Sequence, residues 1–156
     1  MFNQSHLSVL AVWLLRVALA FSFLSAVADR FGLWGPIGVV GVSWRNFGRF
    51  SDCTGQLLWF LPSSLVSAAA ILSTAAEVIV ASGLLVGWKL HWWAFAAAAL
   101  LLSFALTMSC ALGVKAPLDS SVWTAAAAAF LLGVVAIRDR GTDRAEPGGA
   151  PHRPRE

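Results

Sequence analysis

Charge is scarce in this chain. Lys, Arg, Asp and Glu make up 12% of its 156 residues, where a soluble domain carries about a quarter. Much of that charge gathers in the last stretch, from Arg138 to Glu156. The body has too few ionised groups to cover a water-facing surface, which excludes an ordinary soluble domain. Cysteine is scarcer still, at two residues. Cys53 and Cys110 cannot build a disulfide framework or a metal cluster, and neither belongs to a C-x-x-C pair. The spans derived below put Cys53 in a loop and Cys110 in a helix, so the pair reads as two free thiols. Dithiol chemistry needs two cysteines that meet in a reactive setting, and the spacing gives it no support. His6, His91 and His152 share no ligand spacing with other donors, so neither a metal nor a haem is expected. The net charge of +3 and pI near 9.5 come without a basic stripe interleaved with aromatics. A nucleic-acid partner is therefore not expected.

What the chain has instead is apolar length. Apolar residues make up 58% of it, with a mean hydropathy of +0.75. Crossing the hydrocarbon takes about 20 such residues in a helix, and four stretches qualify: 7–28, 64–88, 92–113 and 120–137. The fold expected is all-α, a membrane-spanning four-helix bundle over residues 1–138, followed by a disordered polar tail over 139–156. The lipid bilayer is the first partner this implies. Pro62 with Ser63 and Ser64 gives a helix start. Gly87 to Trp93 forms a tight turn whose tryptophans suit an interfacial belt. Gly113 to Asp119, GVKAPLD, reads as another short turn, with Pro117 ending any helix. Ala26-Val27-Ala28 has the form of a signal-peptidase site. The leading MFNQSH lacks Lys and Arg, however, and Arg16 interrupts the apolar run, so the segment is read as a retained span.

The long connection, 29–61, contains Trp44, Phe47 and Phe50 at three-residue intervals. That period predicts a short amphipathic helix, lying on the membrane surface or packed as a lid across the bundle mouth. Four spans put both chain ends on one side. If that side is cytoplasmic, six Lys and Arg lie inside (Lys89, Arg138, Arg140, Arg144, Arg153, Arg155) against four outside (Arg30, Arg45, Arg49, Lys115). The bias favours both termini inside.

Charged groups within the hydrocarbon are costly and default to a functional question. Two fall inside the spans, Arg16 and Glu77. Arg16 lies about 13 Å from the Leu7 end and Glu77 about 16 Å from the Trp88 end, on the same membrane side. They are expected to face each other as a buried ion pair. The pair either fixes helix packing or lines a pocket for a proton, a quinone or a small anion. Ser73 and Thr74 share the face of Glu77 and could donate to its carboxylate. Ser103, Thr107 and Cys110 share a face of the third span, and Thr124 falls near the depth of Thr107. This polar seam reads as interhelical glue. Gly83 and Gly87 form a G-x-x-x-G compatible with close helix approach.

Three segments carry a resemblance: LLRVALAFSFLSAVADRFGLWG near the start, AAEVIVASGLLVGW on the second span, and SFALTMSCALGVKAPLDSSVWTAAAAAFLL across the third and fourth. In this order they resemble the DoxX family of small bacterial four-helix membrane proteins, over nearly the whole chain except the tail. Arg16, Glu77, Lys115, Pro117 and Asp119 match the family pattern, whereas Ser120 stands where an aromatic is expected. The resemblance implies a multi-pass protein of the bacterial inner membrane. It also implies an accessory role beside a quinone-linked oxidoreductase or in resistance to oxidative stress, with quinone as the cofactor to consider and a partner oxidoreductase subunit. Two other functions stand beside it: a non-catalytic structural or assembly module, homo-oligomeric or not, and a small proton-coupled carrier. Four spans without a broken helix or an internal repeat match carrier designs poorly. No catalytic motif is visible, so an accessory subunit is expected before a stand-alone enzyme.

Overall fold

The computed structural model describes residues 4–145 and is built of six helices. They are α1 (Gln4–Arg30), α2 (Phe47–Leu57), α3 (Ser63–Val86), α4 (Leu90–Leu112), α5 (Lys115–Asp119) and α6 (Val122–Ala145). Four of them hold stretches long and apolar enough to cross a membrane: His6–Arg30, Ser63–Val86, Leu90–Leu112 and Val122–Asp139. In the bundle α1 packs on α3, α3 on α4, α4 on α6, and α6 back on α1, closing the ring.

The interior is made of small residues and the outside of large ones. Ala20, Ala81, Ala94, Ala97 and Ala129 are fully buried, and Leu19, Phe23, Val80, Leu84 and Leu132 pack among them. Leu14, Phe21, Leu72, Leu106 and Phe130 stand exposed along the spans. A soluble bundle buries its large side chains. Between helices in lipid, small side chains let backbones approach, and the bilayer covers the rest. The α4–α6 contact shows the consequence, since a Cβ on Gly133 would stand 2.7 Å from the Phe95 ring. This distribution defines an integral membrane bundle of four spans.

Several boundaries differ from the sequence reading. α1 runs on through Asp29 and Arg30, which were expected in the loop. GVKAPLD is not a bare turn but contains α5, with buried Pro117 in its first turn. Proline is tolerated there because that N–H has no intrahelical acceptor in any case. Lys115 and Asp119 pair across one turn of α5 at the surface, an arrangement that contributes little to stability. Ser121, at φ 57°, separates α5 from α6. α6 continues through Ala145 into the stretch assigned to the tail, and the rest of that stretch, 146–156, lies outside the described residues.

The amphipathic segment forms α2 from Phe47 onward and takes the lid position, while Trp44, expected on the same helix, lies ahead of it in the loop. Asn46 caps it, its Oδ1 accepting the Arg49 N–H at 3.0 Å. α2 packs against α1, α3 and α4 with Phe50 and Thr54 buried. Cys53 therefore sits on a helix rather than in a loop, and both cysteines are free thiols.

Candidate functional site

The expected Arg16–Glu77 pair does not form. The Cα–Cβ bonds of a helix tilt toward its N-terminus, so Arg16 leans back along α1, which in this antiparallel pair means toward the C-terminal end of α3. There its Nε donates to the Leu84 carbonyl at 3.0 Å and its Nη2 to that of Leu85 at 3.1 Å. These are carbonyls that a helix end leaves without an intrahelical donor, and a cation suits that end of the dipole. Trp13 lies against the guanidinium, 4.3 Å from Cζ to the ring centroid. Gly87 closes α3 in the left-handed conformation, at φ +76°, and a Cβ there would stand 2.2 Å from Arg16 Nη2. Glu77 lies about 10 Å further along α3 from Leu84, at ~1.5 Å per residue. Gly83 likewise seats the Trp93 ring, which a Cβ would meet at 2.1 Å. The G-x-x-x-G therefore makes room for two side chains.

Glu77 pairs instead with Arg30. By the same tilt, the last residue of α1 reaches back into the bundle. Arg30 Nη2 donates to Glu77 Oε1 at 2.7 Å, and Nη1 donates to Thr74 Oγ1, also at 2.7 Å. The Thr74 hydroxyl in turn donates to the Ala70 carbonyl at 2.8 Å. Both ionised side chains are almost fully buried, at 4% and 1% exposure. The Arg30 guanidinium lies 3.7 Å from the Phe50 ring centroid and 5.5 Å from that of Trp44, and the two rings meet edge-on at 5.3 Å. Arg30 thus ties α1 to α3 inside the bundle and to the lid above it. Arg30 Nε and Glu77 Oε2 make no hydrogen bond among the described residues.

Asp29, one position earlier, holds the returning loop. Its carboxylate accepts the backbone N–H groups of Ser43 at 2.8 Å, Trp44 at 3.1 Å and Arg45 at 3.4 Å. Those bonds set Trp44 over Arg30. Gly32 allows the turn, since a Cβ there would stand 2.6 Å from the Arg45 carbonyl oxygen.

The hydroxyls expected as interhelical glue are satisfied within their own helices. Ser73 donates to Ala70, Ser103 to Leu100 and Thr107 to Ser103. Neither Ser73 nor Thr74 donates to Glu77. Thr124 is exposed, as is Cys110.

Two depressions share the wall made by Ser43 and Trp44. The larger, an open groove of about 610 Å³, runs along α1 past Ala18, Phe21, Ser22, Ser25 and Ala26. It ends against Asp29, Trp34, Gly41, Ser43 and Trp44. The smaller, about 370 Å³, faces the polar side of α2 and is lined also by Arg49, Asp52, Cys53 and Gln56. The first lies on the face α1 turns to lipid, where Phe21 is exposed. Trp44 thus touches the lipid-facing groove, the polar recess and the buried Arg30.

Comparison with family models, with curated proteins and with solved structures returns no match.

Proposed function

We propose that this chain is an accessory subunit of a quinone-linked redox or oxidative-stress system in the bacterial cytoplasmic membrane, as its resemblance to the DoxX family implies. Both termini then lie in the cytoplasm, and α2 with its polar recess lies outside, available to a partner oxidoreductase. The observation that carries this reading is the groove along α1. It opens sideways to lipid, it has small side chains along its floor, and Trp34, Ser43 and Trp44 stand at its end. Its volume of about 610 Å³ falls within the ~300–1,000 Å³ of small-molecule sites. A ring carried on an apolar tail fits such a slot, with the tail left in the bilayer and the ring against Trp44.

A second reading has its own support. Arg16 caps α3 and Arg30 holds Glu77, so the intramembrane charges are used in holding the bundle together. That use suits a non-catalytic assembly module.

Titrating decylubiquinone into nanodiscs separates the two. Wild type is expected to bind saturably, and Ala18→Phe and Ser22→Phe, exposed positions that fill the groove, are expected to weaken binding at least about tenfold, or ~1.4 kcal/mol. Equal binding by the filled variants, or none by wild type, favours the assembly module.

A further inference from the structure

We propose that the segment Phe31–Val42 is embedded in the interfacial layer of the bilayer beside α1, making a fifth membrane contact, rather than standing in water above the bundle. Depth is the first argument. Arg30 reaches Thr74 and Glu77, and Thr74 lies about 16 Å along α3 from Ser63, at ~1.5 Å per residue. An arginine side chain spans less than half that distance. The chain therefore leaves α1 well below the start of α3, where exposed Trp59 and Phe60 mark the level of an interfacial belt. The segment then turns back alongside α1, since Trp34 Nε1 donates to the carbonyl of Ser25 at 3.0 Å, more than a turn before the helix ends.

Composition is the second argument. From Phe31 to Ser43 there is no charged residue, and the large side chains point outward: Val40 is 100% exposed, Leu33 76%, Phe31 62% and Trp34 56%. Charge returns at Arg45 and Arg49, where the chain reaches the polar face of α2. A contiguous apolar surface of this kind calls for a cover. Here it continues the lipid-facing side of α1, which makes lipid the cover.

The backbone sets the depth. Irregular chain exposed to hydrocarbon must satisfy its own polar groups. This segment does so in part, through turns whose N–H groups at Gly35, Val39 and Val42 donate to Gly32, Pro36 and Val39. Glycines 32, 35, 38 and 41 all take positive φ in that succession. The remaining carbonyls need the water of the headgroup boundary, so the segment lies just beneath that boundary, within reach of its water, and not at the bilayer centre. This holds whether or not the groove beside it takes a quinone.

The test places an environment-sensitive fluorophore at Val40→Cys and, separately, at Ile37→Cys, in full-length protein carrying Cys53→Ala and Cys110→Ala. Leu131→Cys, exposed at the middle of the α6 span, and Gln56→Cys, exposed on α2, serve as lipid and water references. In nanodiscs of neutral phospholipid, the two segment labels are expected to emit to the blue of the Gln56 label. Lipids carrying a nitroxide near the carbonyl should quench them more strongly than lipids carrying it at the chain end, and aqueous iodide should not. The Leu131 label should show the opposite preference between the two lipids. Segment labels that iodide quenches as it does the Gln56 label, with no response to either lipid, would overturn the proposal.

Discussion

Glu77→Ala is expected to destabilise the bundle by about 3–5 kcal/mol, because it leaves the Arg30 guanidinium buried without its counter-charge. The wild-type pair is nearly closed to solvent and is joined by a 2.7 Å hydrogen bond, so neither partner can relax into water without moving the lid. Loss is expected in both directions, since Arg30→Ala strands the carboxylate in the same way. Replacing both at once, as Arg30→Ala with Glu77→Ala, removes the charges together and should cost far less than the sum. Thr74→Val falls between, at about 1–3 kcal/mol, because it leaves only Arg30 Nη1 without an acceptor. Unfolding by sodium dodecyl sulfate in mixed micelles measures all four. The same cycle run on Arg16 and Glu77 should show no coupling. Strong coupling there, with none between Arg30 and Glu77, would restore the pairing that the spans alone suggest.

Gly87→Ala is expected to cost about 3–5 kcal/mol, more than a surface turn residue usually commands. Part of that is backbone: holding a residue with a Cβ in the left-handed region costs about 1–2 kcal/mol. The rest comes from Arg16. A Cβ 2.2 Å from Nη2 must push the guanidinium off the Leu84 and Leu85 carbonyls, and hydrogen bonds to charged groups contribute about 1.5–3 kcal/mol. The two parts can be separated. In an Arg16→Met background no guanidinium needs displacing, and Gly87→Ala should then cost only the backbone part, about 1–2 kcal/mol. The same cost in both backgrounds would mean that Gly87 serves the turn alone.

The spans are legible in the sequence because lipid imposes a length and a hydropathy that few other constraints mimic. α2 is legible from Phe47 and Phe50, although Trp44, read with them as one period, lies ahead of the Asn46 cap, and the helix's place as a lid depends on Arg30, which no periodicity reveals. The ion pair is misassigned from sequence for a definite physical reason. Heights counted along two helices locate Cα atoms, but Arg16 and Arg30 act at the far ends of side chains that lean toward the start of α1. That lean carries Arg16 away from Glu77 to the end of α3, and carries Arg30 from the mouth of the bundle into its interior. The signal was present in the Asp-Arg step closing the first apolar run, where a cation at a helix end can fold back onto an intramembrane carboxylate. The hydroxyls mislead differently. Ser73, Ser103 and Thr107 share faces with other polar groups, yet each finds a nearer acceptor within its own helix. The groove leaves no local mark, since it is assembled from α1 and from residues as distant in sequence as Trp44.

The most direct test of the proposed role is photolabelling of the intact protein in native membranes with a quinone analogue carrying an azide on its ring, followed by peptide mapping. The account predicts label within residues 18–26 of α1 and 34–44 of the following segment, and competition by unlabelled quinone. Label spread evenly over the lipid-facing helices, or concentrated on α4 and α6 without competition, would contradict it.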